Sequence, residues 1–241
     1  MMKEILIAPS ILSADFSRLE QEIKKVEDSG ADMVHIDVMD GEFVPNITIG
    51  PTVVKAIRKC TKLILDVHLM IEQPHRIIKD FADAGSDIIT VHAEAYRKNS
   101  KSQITDSKNL TKGASKTVEE IDEKRVTKVL RDIKSLGKKA GISLNPDSPF
   151  CIHGVLTELD MILIMSVHPG FGGQKFIPDI LPKIEGARKA FSGDIEVDGG
   201  INDKNVGLVI GAGANIIVAG SYFFSAKDPK QAVQKLRKWK G

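Results

Sequence analysis

The sequence alternates apolar runs of strand length with amphipathic segments of helix length, about eight times in 241 residues. The predicted strands cover residues 5–9, 33–37, 63–69, 88–92, 139–144, 161–167, 194–198 and 216–219. The predicted helices cover residues 17–29, 52–59, 74–84, 126–136, 179–190, 205–210 and 229–238, with a short, poorly defined one near 149–156. Such alternation predicts a parallel sheet, either open and doubly wound or closed into a barrel.

The number of units favours the closed form. Eight units in this length are typical of a (β/α)8 TIM barrel, whereas a doubly wound sheet normally has fewer strands. The strands are rich in Ile and Val without clean alternation, as expected where helices cover one face of a parallel sheet and the other face is also buried. We therefore expect an α/β protein with a single barrel domain over residues 1–241.

One segment, residues 96–125, interrupts the alternation. It is rich in Lys, Ser, Thr and Asn, has few large apolar side chains, and follows His92-Ala93-Glu94. We interpret it as a solvated insertion in the loop after strand 4, with a short helix near 117–123. Its lysines could form a docking patch, but a mobile solvated loop fits the composition better.

The composition excludes several classes of protein. With 42% hydrophobic and 27% charged residues, the chain is neither wholly disordered nor collagenous nor a coiled coil. A net charge of +2 and 5% aromatic residues give no argument for a nucleic acid or an anionic membrane as partner. The sequence contains no run of about 18 apolar residues, so we expect no transmembrane helix. The N-terminus is interpreted as a first strand rather than a signal peptide, and two cysteines favour a reducing, cytoplasmic location.

Metal-binding side chains lie near the ends of three predicted strands. His35 and Asp37 are two residues apart and so share one face of strand 2, while His68 and Asp198 end strands 3 and 7. The carboxyl ends of barrel strands carry active sites, so closure of the barrel would bring the four together. Each histidine alone is more simply a hydrogen-bonded core residue. Together, two imidazoles and two carboxylates favour one divalent metal ion such as zinc, iron, manganese or cobalt.

Glycine-rich loops follow the last three predicted strands: Gly170-Phe171-Gly172-Gly173, Gly199-Gly200 and Gly220-Ser221. Glycine lets backbone N–H groups approach an anion closely, and barrels commonly bind phosphate in the loops after strands 7 and 8. Any one of these motifs could simply form a tight turn. Three on consecutive strands favour a phosphate site.

A metal beside two carboxylates, at some distance from a phosphate site, predicts a reaction class. A metal polarises a carbonyl and stabilises an enediolate, which favours removal of a proton next to the carbonyl of a sugar phosphate. If one carboxylate takes the proton and the other returns one to the opposite face, the result is epimerisation. Met39, Met70 and Met165 also lie at strand ends, where they could fill the core or form a polarisable wall beside the reacting carbon.

Six motifs in this order resemble those of the ribulose-phosphate 3-epimerase family: APSILSADF at 8–16, HIDVMDG at 35–41, FVPN at 43–46, DVHLM at 66–70, PGFGGQ at 169–174 and VDGGI at 197–201. The resemblance extends from residue 7 to about 229 and is missing only in residues 96–125. As a set, these motifs are highly specific.

The resemblance implies a metal-dependent enzyme of the pentose phosphate pathway that interconverts D-ribulose 5-phosphate and D-xylulose 5-phosphate through a metal-stabilised 2,3-enediolate. It implies that Asp37 and Asp198 are the acid/base residues, that both also ligate the metal with His35 and His68, and that residues 41–46 form a flexible lid. It assigns Met39, Met70 and Met165 to a layer that shields the intermediate. The implied substrate-binding residues are Ser10, His68, Gly170, Phe171, Gly172, Gly173, Asp198, Gly199, Gly200, Gly220 and Ser221.

The resemblance leaves some points open. His168 stands where relatives often have Asn or Glu, and its role is open. The family usually forms homo-oligomers, so a dimer or hexamer is expected. The alternatives are a D-allulose 6-phosphate 3-epimerase or another ketose-phosphate epimerase, a metal-independent barrel lyase, and a phosphate-binding barrel without catalysis. A lyase would typically place a lysine at a strand end, where this chain has His and Asp. A barrel that had lost catalysis would lack a metal ligand or an acid/base residue, but His35, Asp37, His68 and Asp198 are all present.

Overall fold

The computed structural model describes residues 3–98 and 120–238. Eight strands in these ranges form one parallel sheet, in which each strand from β2 to β8 pairs with the next and β8 pairs with β1. The strands are β1 Leu6–Ala8, β2 Met33–Met39, β3 Ile64–Met70, β4 Ile88–His92, β5 Lys139–Leu144, β6 Met161–Met165, β7 Asp194–Asp198 and β8 Ile216–Val218.

The sheet closes between β1 and β2. Ser10 forms a parallel bridge with His35, whose backbone N–H donates to the carbonyl of Pro9 at 3.0 Å. The predicted (β/α)8 barrel is therefore confirmed. Closure also places the carboxyl ends of all eight strands around one opening.

Helices alternate with the strands around the barrel. They are α1 Leu19–Asp28, α2 Pro51–Cys60, α3 Ile78–Ala84, α4 Glu123–Ser135, α5 Leu181–Ala190, α6 Val206–Ala212, α7 Ser221–Phe224 and α8 Pro229–Arg237. The short helix predicted near 149–156 is a 3-10 helix, His153–Glu158, between β5 and β6. The sequence pattern missed α7, which is too short to show helical periodicity. Within 3–98 and 120–238, no helix combines the length and apolarity that a membrane span requires.

The two faces of the strands bury different kinds of side chain. Outward-facing Ile36 and Val67 belong to the main apolar cluster, which also includes residues of the helices. A separate small cluster, which includes Met33, Ile88 and Met161, fills the barrel near the amino ends of the strands. On β2 and β3 the next inward positions are polar, His35 and Asp37 on β2 and Asp66 and His68 on β3, and the strands end in Met39 and Met70.

The boundaries of the predicted insertion, residues 96–125, need correction. Tyr96 is 1% exposed and belongs to the core, and Arg97 forms an antiparallel bridge with Ile121. The N–H of Asp122 donates to the Tyr96 carbonyl at 2.8 Å, and α4 already begins at Glu123. Both ends of the segment are thus part of the folded barrel. Residues 99–119 lie outside the described residues. Of the short helix predicted near 117–123, the described part, residues 120–123, is not a separate helix, because only Glu123 is helical and it is the first residue of α4.

Candidate functional site

Four side chains from three strands converge inside the carboxyl end of the barrel. One nitrogen or oxygen atom from each of His35, Asp37, His68 and Asp198 lies within 4.8 Å of the others. Asp37 on β2 stands opposite His68 on β3 in the strand register, and β7 supplies Asp198. Both histidines are fully buried. The convergence predicted from strand spacing is therefore present in the structure.

The ring of His35 is oriented by a carboxylate behind it. Its Nδ1 lies 2.6 Å from Asp66 Oδ2, close enough for Nδ1–H to donate to that oxygen. A proton on Nδ1 leaves a lone pair on Nε2, which lies 3.3 Å from Asp37 Oδ1 and makes no hydrogen bond. A buried nitrogen without a partner is costly, so this atom needs an explanation.

A divalent cation fits this arrangement. Asp37 Oδ1 lies 3.3 Å from His35 Nε2 and 3.2 Å from His68 Nδ1, while Asp198 supplies a second carboxylate. Nitrogen lone pairs and carboxylate oxygens repel one another unless a positive charge lies among them. Two imidazoles and two carboxylates are also a donor set that transition metals accept. The four residues could therefore hold one metal ion.

The pKa shifts of His35 and Asp37 also indicate that a positive charge is stabilised among these side chains. Burial opposes ionisation of His35, but the carboxylates of Asp37 and Asp66 outweigh it and hold the His35 pKa well above its ordinary value. Burial also opposes ionisation of Asp37, yet the charge and hydrogen bond of His35 lower the Asp37 pKa. A bound cation would instead favour the ionised carboxylate and the neutral imidazole.

The pKa of Asp198, the second carboxylate of the cluster, shifts in the opposite direction from that of Asp37. Burial, followed by the nearby negative charge of Asp37, raises the pKa of Asp198 to about 7. Two neighbouring carboxyl groups with pKa values moved apart are a common basis for separate acid and base roles.

Ser10 reaches the cluster directly from the end of β1. Its hydroxyl donates to Asp37 Oδ2 at 2.5 Å, and the side chain is buried. Asp37 therefore has one oxygen held by Ser10 while the other faces the two imidazoles. The family resemblance implies that Ser10 lies near the substrate, and the structure adds this contact with a catalytic candidate.

A cavity opens above the cluster, and nearly all of the predicted substrate-binding residues line it. Its walls include Ser10, Asp37, Met39, Met70, Met165, Gly170, Phe171, Gly172, Gly173, Asp198, Gly199, Gly200, Gly220 and Ser221. His35 and His68 are fully buried and are not among the lining residues. The polar cluster and the glycine loops thus belong to one cavity.

Two glycines of the loop after β7 are required by backbone conformation. Gly199 and Gly200 have φ values of +123° and +65°. A Cβ on Gly200 would lie 2.6 Å from the backbone nitrogen of Phe176 and 2.7 Å from the carbonyl oxygen of Gln174. The loop after β6 therefore packs directly against the loop after β7, which brings two of the three predicted phosphate loops together.

The methionines form two apolar groups beside the polar cluster. Met39 and Met70 stand opposite each other on β2 and β3 and pack with Val44, while Met165 packs with Val167 on the other side. All three methionines are buried and line the cavity.

The predicted lid, residues 41–46, contacts both parts of the site. Asn46 Nδ2 donates to the carbonyl of Gly170 at 3.0 Å, and the Phe43 ring lies 4.8 Å from the His92 ring, measured between centroids. Nearby, the His168 side chain is 61% exposed and lies 3.8 Å from Asp147. His168 therefore faces solvent at the edge of the site.

Four further acidic or imidazole side chains surround the ligand candidates, and we gave them no role from sequence. Asp66 and Glu196 form a second buried group with His35, and His92 and Glu94 lie behind His68. A signal did exist for two of them, because Asp66 and His68 on β3, and Glu196 and Asp198 on β7, are each two residues apart in one strand, whereas Glu94 lies in the 3-10 helix Ala93–Tyr96 after β4. That spacing gives a shared direction, but it does not say which side chain touches which.

Comparison with known proteins decides the family. The model of the "Ribulose-phosphate 3 epimerase family" matches residues 6–118 and 111–224. A Synechocystis sp. protein named ribulose-phosphate 3-epimerase is 49% identical, covering 98% of this chain and 95% of its own. The chain belongs to the ribulose-phosphate 3-epimerase family. Membership makes it an enzyme of the isomerase class.

Other members of the family give the same result. The Bacillus subtilis ribulose-phosphate 3-epimerase is 48% identical, covering 97% of this chain and 98% of its own, and the Escherichia coli K12 protein is 42% identical. Each of these relatives is named ribulose-phosphate 3-epimerase, and the six-carbon alternative is not favoured.

More distant solved structures share the barrel alone. The 3-hexulose-6-phosphate synthase of Salmonella typhimurium has a TM-score of 0.66 at 20% identity, covering 97% of each chain. The protein described as KGPDC from Streptococcus mutans has a TM-score of 0.68 at 13% identity, covering 97% of this chain and 96% of its own. At such identities the likeness concerns the fold and not the chemistry.

Proposed function

We propose that this family member is a metal-dependent epimerase that interconverts D-ribulose 5-phosphate and D-xylulose 5-phosphate at C3. The observation that carries the proposal is the convergence of His35, Asp37, His68 and Asp198 within 4.8 Å at the bottom of a cavity walled by glycine loops. This arrangement offers a metal site, two carboxylates and an anion site in one place.

His35, Asp37, His68 and Asp198 would hold one divalent cation, and the set suits zinc, iron, manganese or cobalt. When bound, the cation would polarise the C2 carbonyl and offset the negative charge that develops as the C3 proton leaves. The lone pair on His35 Nε2, which has no hydrogen-bond partner, is the feature of this chain that best matches that role.

Asp37 and Asp198 would move the proton. One carboxylate takes the proton from C3 on one face, and the other carboxyl group returns a proton to C3 on the opposite face, which inverts that carbon. The roles exchange with the direction of the reaction. Ser10 would hold Oδ2 of Asp37 in place, while Oδ1 faces the two imidazoles of the metal site.

The glycine loops after β6, β7 and β8 would bind the phosphate group of the substrate. The residues concerned are Gly170, Phe171, Gly172, Gly173, Gly199, Gly200, Gly220 and Ser221. A loop backbone without Cβ atoms can direct several N–H groups at an anion. Gly199 and Gly200 support this role because their positive φ values are conformations that other residues rarely adopt.

Met39, Met70 and Met165 would shield the reacting carbons from water. They are buried, they line the cavity, and they carry no proton that could be transferred to the wrong face. The lid, residues 41–46, would close over the substrate through Phe43 and Asn46.

The family resemblance also supports a homo-oligomer, a dimer or hexamer, and the two cysteines support a cytoplasmic location. Light scattering on the purified protein would test the first, and fractionation of the source cells would test the second.

The decisive experiment couples formation of D-xylulose 5-phosphate from D-ribulose 5-phosphate to an optical signal, before and after chelation. We expect activity to be lost on chelation and restored by single divalent metals, which would also rank zinc, iron, manganese and cobalt. D-allulose 6-phosphate, assayed in parallel, should be the poorer substrate. Failure of every metal to support the five-carbon reaction would overturn the proposal.

A further inference from the structure

His68 stands at the start of a continuous chain of buried polar groups that leads away from the metal-site residues. Its Nε2 lies 2.8 Å from His92 Nε2, and His92 Nδ1 lies 3.1 Å from Glu94 Oε2. Both rings are fully buried and nearly parallel, with an interplanar angle of 29°. Two imidazole nitrogens at this distance must share one proton between them, so one donates and the other accepts.

Glu94 decides the direction of that chain. Its Oε1 accepts from the backbone N–H of Asn145 at 2.7 Å and from the hydroxyl of Ser148. Burial disfavours the charged form, but the hydrogen bonds from His92, Ser148 and Asn145 outweigh burial and lower the Glu94 pKa to about 2. Glu94 is therefore a carboxylate that only accepts, which requires the proton of His92 to be on Nδ1.

The position of the His92 proton determines which nitrogen of His68 carries a proton. With its Nδ1 proton held by Glu94, His92 presents Nε2 as the acceptor, and His68 donates to it from its own Nε2–H. His68 Nδ1 then carries a lone pair, and this is the atom that lies 3.2 Å from Asp37 Oδ1. In the opposite arrangement a proton on His68 Nδ1 would occupy the place that a cation needs.

We propose that Glu94 and His92 are positioning residues that hold His68 in the one tautomer able to bind the metal, an inference that rests on the proposed role of His68 as a ligand. Neither residue touches the cavity, so neither is a catalytic residue. Partners behind a metal-binding histidine commonly set its tautomer and its basicity in this way.

The surroundings of His92 prevent the ring from turning away. The His68 ring meets it edge to edge, with 4.9 Å between centroids, and Phe43 of the lid packs against it at 4.8 Å. His92 cannot exchange its two nitrogens without losing both hydrogen bonds. The proton arrangement is therefore set by the carboxylate at the end of the chain.

Glu94→Gln tests this arrangement with almost no change in shape. An amide offers one oxygen and one NH2 group, whereas both neighbours, the Asn145 N–H and the His92 Nδ1–H, require an acceptor. Either one of these donors loses its partner, or His92 moves its proton to Nε2 and the hydrogen bond between His92 and His68 reverses its direction. Reversal would place a proton on His68 Nδ1.

The first measurement is the affinity of the full-length, metal-free protein for zinc alone, by competition with a chromophoric chelator. We expect Glu94→Gln to weaken zinc binding about 10- to 100-fold, the range for partners of metal-bound histidines. Glu158→Gln is the matched control, because it removes a carboxylate from an exposed pair with Arg131 on the outside of the barrel. Circular dichroism would establish that both variants fold.

The second measurement is the protonation of each imidazole nitrogen by ¹⁵N NMR, which a purely structural role would not fix. We expect the wild type to carry its protons on His68 Nε2 and His92 Nδ1, and Glu94→Gln to lose this pattern. A wild-type proton on His92 Nε2, or equal zinc affinity in wild type and Glu94→Gln, would overturn this inference alone. A wild type that binds no zinc would overturn the proposed metal role and this inference with it.

Discussion

His35 Nδ1 lies 2.6 Å from Asp66 Oδ2, and neither side chain is exposed to solvent. Glu196 lies beside them, with Oε1 3.5 Å from the same nitrogen and both of its oxygens without hydrogen-bond partners. Burial and the charge of Asp66 raise the Glu196 pKa well above its ordinary value. The two candidate ligand histidines thus resemble each other, because a carboxylate orients each one: Asp66 contacts His35 directly, and Glu94 acts on His68 through His92.

The contact with Asp66 predicts the effect of Asp66→Asn. The uncharged amide makes the imidazole of His35 a weaker ligand and no longer fixes its proton on Nδ1, so zinc affinity should fall by about 10-fold or more. Isothermal titration with zinc would measure the change. Asp132→Asn, which removes an exposed partner of Lys128, is the control. Unchanged zinc affinity in Asp66→Asn would show that Asp66 does not position His35.

Asp37→Asn and Asp198→Asn should each lower kcat by about 10²–10⁴-fold, because each removes a proton acceptor or donor. The coupled assay measures kcat, and metal analysis of the same samples separates loss of chemistry from loss of the ion. Incorporation of deuterium from D2O at C3 adds a direct readout of proton exchange. Near wild-type kcat in either variant would refute the two-carboxylate scheme.

Gly200→Ala should destabilise the protein and raise KM for the phosphorylated substrate. A side chain at φ +65° costs about 1–2 kcal/mol, and the new Cβ would also collide with the backbone of the β6 loop. Gly186→Ala in α5 is the control, since a Cβ there meets nothing within 4 Å and should stabilise the helix by about 0.5–1 kcal/mol. Urea unfolding measures both changes. Equal stability of the two variants would contradict the loop packing described here.

Glu94 should also make stability depend on acid pH. Its folded pKa of about 2 is below the ordinary value of 4.5, so its contribution is fully present above pH 4.5 and is lost as the pH falls towards 2. The free energy of unfolding of wild type, minus that of Glu94→Gln, should shrink by about 2 kcal/mol between pH 7 and pH 3. Urea unfolding of the metal-free proteins at both pH values would measure it. A difference that stays constant with pH would mean that Glu94 is not held as a buried carboxylate.

The barrel could be predicted because its signal is local and repeated. Runs such as Met33–Met39 and Asp194–Asp198 are short, apolar on the outward face and followed by turn residues, and this pattern depends only on neighbours in the chain. The ends of the predicted insertion were wrong for the opposite reason. Tyr96 stands beside polar residues in the sequence, yet it is buried in the core at the end of the 3-10 helix after β4, next to the pairing of Arg97 with Ile121.

The sequence by itself determined the alternation that builds the barrel, the residue types at the strand ends and the family motifs that name the chemistry. Only the tertiary structure decided the contacts among those residues. A period of two fixes which way His35, His68 and His92 point. The pairing and register of β2, β3 and β4 place Asp66 beside His35 and His92 beside His68, and the 3-10 helix after β4 brings Glu94 to His92. Hydrogen bonds act over about 3 Å, so their partners depend on which strands become neighbours, and local sequence does not encode that distance.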